Sequence, residues 1–256
     1  MSEKKSDTRA RVIVHGAMGR MGSRICAMLS SSDQATLVGA TDERARAGGA
    51  ERIKNADGAF VGVQIADDAR VIADVVVDFT NEEGTRDAIE LARRINSALF
   101  VGTTGLSRDA LDALRDLAAS RAVLVAPNTS LGVAVLAHLS TIAARSLAGY
   151  HASIVESHHA MKRDSPSGTA IRLAKSVREA GMELPDSGIV ATRGGDVVGE
   201  HTVRFAGEGE YIELVHRATS RDLFARGAVI GATWLAKQPP GMYKMEDALG
   251  FAQDRR

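Results

Sequence analysis

Residues 11–22 read R-V-I-V-H-G-A-M-G-R-M-G, a short β-rich run followed directly by a glycine-rich turn. Helical periodicity starts inside this turn and continues after it, because Met21, Ile25 and Leu29 recur on one helical face. Glycines between a strand and a helix let the backbone approach a phosphate and leave the N–H groups of the helix start available as donors. The spacing is G-x-x-G-x-x-G, which on its own also suits a tight strand–helix turn without a ligand.

The strand–helix alternation continues to about residue 128. Further β-rich runs, with helical stretches among them, lie at residues 36–42, 61–65, 75–79, 98–102 and 122–126. Ser107 has the side chain and position of a helix N-cap. Strands that alternate with helices predict an α/β fold with a doubly wound parallel sheet.

After residue 130 the order of elements changes, so we place a domain boundary there. A helix is followed by a strand, a histidine loop, a second helix and three consecutive strand-like runs at 189–193, 197–205 and 211–217. This order is typical of an α+β domain. Residues 221–256 are expected to return to helix. The expected division is therefore 1–130, completed by 221–256, and a second domain of 131–220.

Composition excludes several functional classes. The chain carries 32 Lys and Arg against 32 Asp and Glu, which disfavours nucleic-acid and membrane-surface partners. Its one cysteine, Cys26, cannot form an internal disulfide, so a reducing compartment is expected. No apolar run approaches the roughly 20 residues of a membrane span, and the first ten residues, MSEKKSDTRA, lack the apolar stretch of a signal peptide. We expect a cytoplasmic protein that acts on a small molecule.

Polar residues at the strand ends indicate a dinucleotide site. Asp42 closes the second strand, where a carboxylate can accept hydrogen bonds from a ribose diol. The segments G-T-T-G (102–105) and A-P-N-T (126–129) close two further strands. Because ligands of parallel sheets bind at the carboxyl edge, we expect these segments on the same rim as the glycine turn.

Residues 156–170, E-S-H-H-A-M-K-R-D-S-P-S-G-T-A, combine groups that handle protons and anions. An imidazole exchanges protons near neutral pH, and Lys162 can donate a proton or stabilise negative charge. Residues 167–169 offer N–H groups at a helix start, which suit a carboxylate. The alternative is that His158 and His159 are ordinary surface or core histidines. A zinc site is disfavoured because adjacent imidazoles rarely chelate together, so no metal is expected.

These segments make the chain resemble the 4-hydroxy-tetrahydrodipicolinate reductase (dihydrodipicolinate reductase) family of bacterial lysine and diaminopimelate biosynthesis. The resemblance is carried by GAMGRMG (16–22), VDFTNEEGT (77–85), GTTG (102–105), SHHAMKRDSPSGTA (157–170), RGGDVVGEHTV (193–203) and TSRDLF (219–224). It implies a Rossmann-type domain, an α+β substrate-binding and oligomerisation domain, and a homotetramer. The implied reaction is the NADH- or NADPH-dependent reduction of the cyclic imine that forms when 4-hydroxy-tetrahydrodipicolinate loses water.

The resemblance also implies roles for individual residues. His158 matches the family's proton donor and acceptor, and Lys162 matches its proton donor. His159, Gly168 and Thr169 match substrate contacts, to which the helix start adds Ser167. Cofactor contacts are implied for Gly16, Ala17, Met18, Gly19, Arg20, Met21, Asp42, Gly102, Thr103, Thr104, Ala126, Pro127, Asn128, Thr129, Arg221 and Phe224.

The chain departs from the family pattern at three positions. Thr129 stands where the family usually has Phe, Asn81 replaces a common Arg, and Glu43 stands where Arg often follows the acidic residue. The last two departures remove positive charge near the adenosine ribose, so we expect NADH to be used at least as well as NADPH.

Two other classes of protein share parts of this pattern. One is a different two-domain oxidoreductase, such as an amino-acid or polyol dehydrogenase, which would need another signature in its second domain. The other is a non-catalytic dinucleotide sensor, which would have no reason to group His158, Lys162 and a carboxylate-binding loop.

Overall fold

The computed structural model describes residues 8–47, 52–54, 60–64 and 71–251 of the 256-residue chain. Its contacts divide the chain into two units, the first comprising 1–129 with 224–250 and the second 130–223 with 251–256. The division expected from the sequence differs from this one by a few residues at each border. Phe251, for example, stacks on His138 with the ring centroids 4.2 Å apart and therefore belongs to the second unit.

The described elements alternate through most of the first unit. In chain order they are β1 (Ala10–His15), α1 (Arg20–Leu29), β2 (Ala35–Thr41), a 3-10 turn (Glu43–Ala47), β3 (Arg52–Lys54), β4 (Phe60–Gln64), β5 (Val75–Asp78), α2 (Glu82–Ile95), β6 (Ala98–Val101), α3 (Arg108–Ala118), β7 (Ala122–Val125), α4 (Leu131–Ser146), β8 (His151–His158), α5 (Gly168–Glu179), a 3-10 turn (Asp186–Gly188), β9 (Ile189–Arg193), β10 (Gly199–Gly207), β11 (Glu210–Ala218), α6 (Asp222–Leu235), β12 (Gly241–Tyr243) and α7 (Met245–Ala248).

The first unit contains an eight-stranded sheet in the order β12-β7-β6-β5-β1-β2-β4-β3. All neighbouring pairs are parallel except β3 with β4. The chain winds outward from β1 in both directions, which confirms the predicted doubly wound sheet. The order reverses between β1 and β5, and ligands of such sheets bind at this reversal. Strands β3 and β12 were not expected; each has three residues, too few to show a periodicity.

Apolar residues explain why these segments form the sheet and its helices. Val75, Val76 and Val77 of β5 are all buried, as in a strand covered on both faces. Ser107 caps α3 by accepting a hydrogen bond from the Ala110 N–H at 3.2 Å, as the sequence predicted. Because β1, β2, β5, β6 and β7 are parallel, they end at one edge of the sheet, where the polar clusters lie.

The second unit contains a four-stranded sheet in the order β11-β10-β8-β9, with β8 and β9 parallel and the other pairs antiparallel. Helices α4 and α5 pack on one face. That face is apolar at one end, where Ile154, Val203 and Phe205 are fully buried. At its other end the same alternation places buried polar side chains, Glu156, His158 and His201.

The opposite face of this sheet carries exposed apolar side chains. Val155, Val190, Tyr211 and Val215 each expose more than a third of their surface. Among the described residues, none of the helices combines the length and the apolar character that crossing a lipid bilayer would need.

Candidate functional site

The glycine turn after β1 is closely packed against the start of α1. Gly16 has φ +79° and follows β1 directly, and its carbonyl accepts a hydrogen bond from the Gly19 N–H at 2.9 Å. A Cβ on Gly22 would lie 2.0 Å from the Gly16 carbonyl oxygen, so this position accepts only glycine without a backbone shift. The third glycine of the motif thus allows the helix to start directly behind the turn.

The start of α1 leaves donors for an anion. Gly19 is the N-cap, makes no side-chain cap bond, and the first turn contains no acidic residue. The N–H groups of this turn and the positive end of the helix dipole therefore fit a pyrophosphate. Ala17, Met18, Arg20 and Met21 belong to the same segment, as expected from the sequence.

Asp42 is buried immediately after β2 and binds the glycine turn. Its carboxylate accepts a hydrogen bond from the Met18 N–H at 2.9 Å and is bridged by the Arg44 guanidinium, with Nε at 2.8 Å and Nη2 at 3.0 Å. Burial alone would raise the pKa of Asp42, but Arg44 and the Met18 N–H outweigh it, and the pKa is lowered. A ribose would therefore meet an ionised carboxylate that already carries a guanidinium.

A second carboxylate, Asp78, connects the loops at the end of the sheet. It is fully buried and accepts hydrogen bonds from the hydroxyls of Thr80 at 2.5 Å, Thr85 at 2.6 Å and Thr103 at 2.9 Å. Burial raises its pKa. Thr103, which the sequence assigned to the cofactor, thus uses its hydroxyl within the protein, and Gly102 and the exposed Thr104 flank it.

Residues 126–129 form the equivalent loop after β7. Ala126 is buried, Pro127 is exposed and Asn128 is half-buried. The Thr129 hydroxyl donates to the Phe224 carbonyl at 2.7 Å, so it holds α6 instead of pointing to a ligand.

Three further residues singled out from the sequence are Asn81, Arg221 and Phe224. Asn81, where the family has Arg, caps α2 by accepting from the Gly84 N–H at 2.9 Å. Arg221 is exposed and lies in the second unit, whereas Phe224 belongs to the first.

The second unit contains the predicted catalytic histidine in a buried polar cluster. His158 and Glu156 lie on one face of β8, and the His158 Nδ1 is hydrogen-bonded to Glu156 Oε2. Because a carboxylate only accepts, the proton of the neutral ring lies on Nδ1. Nε2 is then the nitrogen that can exchange a proton with a ligand.

Glu156 is itself held by donors from two other segments. Its Oε1 accepts from Arg193 Nη2 at 2.9 Å and from the Ser167 N–H at 3.1 Å. The same Arg193 nitrogen donates to the Asp164 carbonyl at 2.6 Å. Burial alone would raise the pKa of Glu156. Arg193, the Ser167 N–H and His158 together outweigh burial and lower this pKa, so the carboxylate stays ionised.

Two further histidines continue the cluster across the sheet. His201 lies opposite Glu156 in the β8–β10 register, and its ring centroid is 5.1 Å from that of His158. Its Nε2 lies 3.3 Å from the Ser167 hydroxyl. Burial, with the nearby His158, lowers the pKa of His201 to about 4, so it is neutral at physiological pH. His216 lies opposite His201 on β11.

Lys162 lies close to the start of α5, paired with an acidic side chain. Its Nζ is 2.8 Å from Asp164 Oδ1. The pKa of Asp164 is lowered, chiefly by Lys162 and also by the Gly168 N–H. The Asp164 carboxylate therefore also interacts with the Gly168 N–H, which the sequence assigned to a substrate carboxylate.

The N-terminus of α5 is shaped by Ser167 and left open by Gly168. The Ser167 hydroxyl accepts from the Ala170 N–H at 3.2 Å and its own N–H goes to Glu156, so this buried residue acts inside the protein. A Cβ on Gly168 would meet no heavy atom within 4 Å. Thr169, the next residue of the helix, and His159 of the preceding loop are half-buried.

The pKa of His158, the histidine predicted to handle protons, is lowered, which favours its neutral form. Burial lowers the pKa of His158 and the Glu156 carboxylate offsets this only in part, while Lys162 and Arg193 lower it further. At neutral pH the unliganded ring therefore carries its proton on Nδ1 and a lone pair on Nε2.

Glu156, His158 and His201 are also the one group of described residues whose ligand atoms lie close enough together, within 4.8 Å, to hold a metal ion. The Arg193 guanidinium already neutralises Glu156 and would repel a cation. This set therefore suits proton transfer better than metal binding.

Sequence reasoning missed the parts played by Glu156, Arg193, His201 and Asp78. The signal for Glu156 was present, because residues two apart on a strand share a face. Nothing local indicated Arg193 or His201, which meet Glu156 only through the pairing of distant strands.

Two models of one protein family together match most of the chain. Residues 10–129 match the family model described as the N-terminus of dihydrodipicolinate reductase, and residues 132–249 match the C-terminus of the same family. A relative from Anaeromyxobacter dehalogenans, named 4-hydroxy-tetrahydrodipicolinate reductase, is 42% identical over 94% of this chain and 98% of its own length. One of the same name from Stenotrophomonas maltophilia is 40% identical over 95% and 99%.

Solved structures show the same fold. A dipicolinate-bound dihydrodipicolinate reductase from Paenisporosarcina sp. TG-14 superposes with a TM-score of 0.76 at 21% identity, covering 92% of this chain and 97% of the other. A scyllo-inositol dehydrogenase from Lactobacillus casei with bound NAD(H) gives 0.59 at 13% identity, covering 94% and 93%. Together with the two family models and the identity to named relatives, this shows that the chain belongs to the dihydrodipicolinate reductase family.

Proposed function

We propose that this chain reduces the cyclic imine derived from 4-hydroxy-tetrahydrodipicolinate to tetrahydrodipicolinate, with NADH or NADPH, in the biosynthesis of diaminopimelate and lysine. The observation that carries the proposal is the cluster at 156–169, where an oriented His158, Lys162 and an open helix start lie on one strand end and loop. The names of the relatives support the same reaction.

The residues of the first unit fit a dinucleotide. The close approach of Gly22 to the Gly16 carbonyl and the uncapped start of α1 suit a pyrophosphate. Asp42 would accept a hydrogen bond from a ribose hydroxyl, and residues 102–104 and 126–128 would border the rest of the cofactor. A bound nicotinamide supplies the hydride.

Lys162 and His158 would manage the proton that must accompany reduction. Reduction of the conjugated imine leaves an electron pair that has to be protonated, and the Lys162 ammonium carries a proton at neutral pH. His158 offers Nε2 as acceptor and donor. A bound dicarboxylate adds negative charge beside the ring, which raises the pKa of His158 and favours its protonated form.

The start of α5 would hold one substrate carboxylate. The Gly168 and Thr169 N–H groups lie in the first turn, and the space beside Gly168 is open. His159 adds a donor from the loop. To bind there, the ligand has to replace the Asp164 carboxylate next to Lys162.

The cofactor preference depends on Asp42 and Arg44. The Asp42 carboxylate can accept hydrogen bonds from ribose hydroxyls and repels a 2′-phosphate. The Glu43 carboxylate adds to this repulsion. The half-exposed Arg44, paired with Asp42, offsets part of it. We propose that NADH is used at least as well as NADPH.

The proposal also covers the oligomeric state and the cellular compartment of the protein. The exposed apolar side chains on the outer face of the second sheet, including Val155 and Val190, support a homotetramer built on that face. Cys26 is a buried free thiol whose pKa burial raises to about 12, which is consistent with a cytoplasmic protein that needs no disulfide.

Replacing His158 or Lys162 by Ala should lower kcat by about 10²–10⁴-fold, the usual contribution of a general acid or base. The assay follows NADH oxidation while the imine is generated in situ. NADH affinity, measured by fluorescence titration, should stay unchanged, and Lys175→Ala on the exposed side of α5 is the control. Near-parental kcat in both variants contradicts the assignment, and a parent that binds NADH without oxidising it identifies a sensor instead.

Gly168→Val should raise the KM for the imine, because the branched side chain fills the open space at the helix start. Loss of one charge-assisted hydrogen bond costs about 1.5–3 kcal/mol, or roughly ten- to a hundredfold in KM. Pyridine-2,6-dicarboxylate should lose potency in parallel. Gly62→Val, also without neighbours within 4 Å, is the control; equal inhibition of parent and Gly168→Val would place the carboxylate elsewhere.

Asp42→Ala should raise the KM for NADH more than that for NADPH, because it removes both the ribose acceptor and the repulsion of a 2′-phosphate. Arg44→Ala should do the reverse. Both ratios come from steady-state kinetics with each cofactor, with Arg86→Ala as a control on an exposed ion pair. A parent KM much lower for NADPH than for NADH refutes the preference.

The parent should have four times the mass of one chain in analytical ultracentrifugation. Val155→Asp should lower that mass because it places a charge in the apolar face. Ile72→Asp, an exposed apolar residue of the first unit, is the control. A monomeric parent, or equal dissociation of both variants, rules out assembly through this face.

A further inference from the structure

The Glu156 side chain is fully buried although it is charged. It lies two residues before His158 on β8, so both side chains project from the inner face of the sheet. Burying an unpaired carboxylate is costly. The burial of a charged Glu156 beside the His158 ring, proposed as catalytic, therefore needs a physical explanation.

Every contact of the carboxylate fixes its orientation. Arg193 and the Ser167 N–H both bind Oε1, which leaves Oε2 for the His158 ring. The three donors come from β9, from the start of α5 and from β8 itself. The carboxylate therefore cannot rotate without losing hydrogen bonds to separate segments.

The fixed carboxylate in turn determines which ring nitrogen faces a ligand. With Nδ1–H donated to Oε2, His158 can exchange protons only through Nε2. Gly199 provides the space for this nitrogen, because a Cβ at that position would lie 2.9 Å from Nε2. The tautomer and the ring position are thus both determined by the surrounding residues.

We propose that Glu156 is the positioning residue of the reaction: its carboxylate, anchored by Arg193, holds His158 in the Nδ1–H tautomer so that Nε2 faces the substrate. The proposal rests on the proposed reductase function. The same logic operates wherever a carboxylate orients a catalytic imidazole.

The charged and titratable groups around His158 come from every neighbouring element. They are Glu156 on its own strand, Lys162 on the following loop, Arg193 on β9 and His201 on β10. Glu156 is the only anion among these four, and it raises the pKa of His158 while Lys162 and Arg193 lower it. Removal of its charge should therefore lower the pKa of His158.

The first test measures the tautomer directly, without activity. Nitrogen NMR of the unliganded parent at neutral pH should show His158 protonated on Nδ1. In Glu156→Gln the amide oxygen should take the Arg193 and Ser167 donors, and the NH2 group then faces Nδ1. The ring should therefore switch to the Nε2–H tautomer. A parent in the Nε2–H form, or a variant that keeps Nδ1–H, overturns the proposal.

The second test measures turnover and its pH dependence. In Glu156→Gln, kcat should fall by about 10²–10⁴-fold, the KM values for both substrates should stay close to parental, and the limb of the pH profile that reports His158 should move to lower pH. Glu156→Asp keeps the charge and should recover part of kcat. Glu179→Gln makes the same change in an exposed pair with Lys175 and should leave all three measures unchanged.

The two tests separate this proposal from the proposed function. A parent without imine reduction refutes the reductase function, while the NMR result still decides the tautomer. An active parent whose Glu156→Gln variant keeps its kcat and pH profile refutes the role of Glu156 alone. If Glu156→Gln does not fold, the parent tautomer and the Glu156→Asp kinetics decide the matter.

Discussion

The charge of one buried carboxylate, that of Glu156, organises the second unit. A buried carboxylate is stable only when donors replace the water that it loses, and here these donors are Arg193, the Ser167 N–H and His158. Each donor belongs to a different segment, so the end of β9, the start of α5 and the His158 ring are fixed relative to one another. The need to satisfy one charge thereby builds the geometry of the site.

The first unit also contains buried carboxylates that are held by hydrogen-bond donors. The kind of donor determines whether the pKa of the carboxylate is lowered or raised. Asp42 is bridged by the Arg44 guanidinium, and its pKa is lowered despite burial. Asp78 receives only neutral hydroxyls and faces a histidine, and burial raises its pKa. A guanidinium keeps the Asp42 carboxylate ionised, whereas hydroxyls suffice for Asp78, which joins loops.

Much of this molecule could be predicted from local sequence, and the reason is physical. Each parallel strand carries its own apolar run, and the glycine turn and the 157–169 segment carry their signals within a few residues. The partners of Glu156 could not be predicted in this way, because Arg193 and His201 reach it through strand pairing across the sheet. Ser167 and Thr129 were predicted to contact ligands, but the Ser167 hydroxyl caps α5 and the Thr129 hydroxyl binds the Phe224 carbonyl.

The inner face of the second sheet has a consequence for how this unit tolerates change. Along β8, Ile154 of the core and Glu156 of the site stand on one face and alternate with the exposed Val155. A slip of one residue in the β8–β10 pairing would turn both inward residues outward together. A slipped strand would therefore lose the apolar core and the candidate site together, because one register sets both.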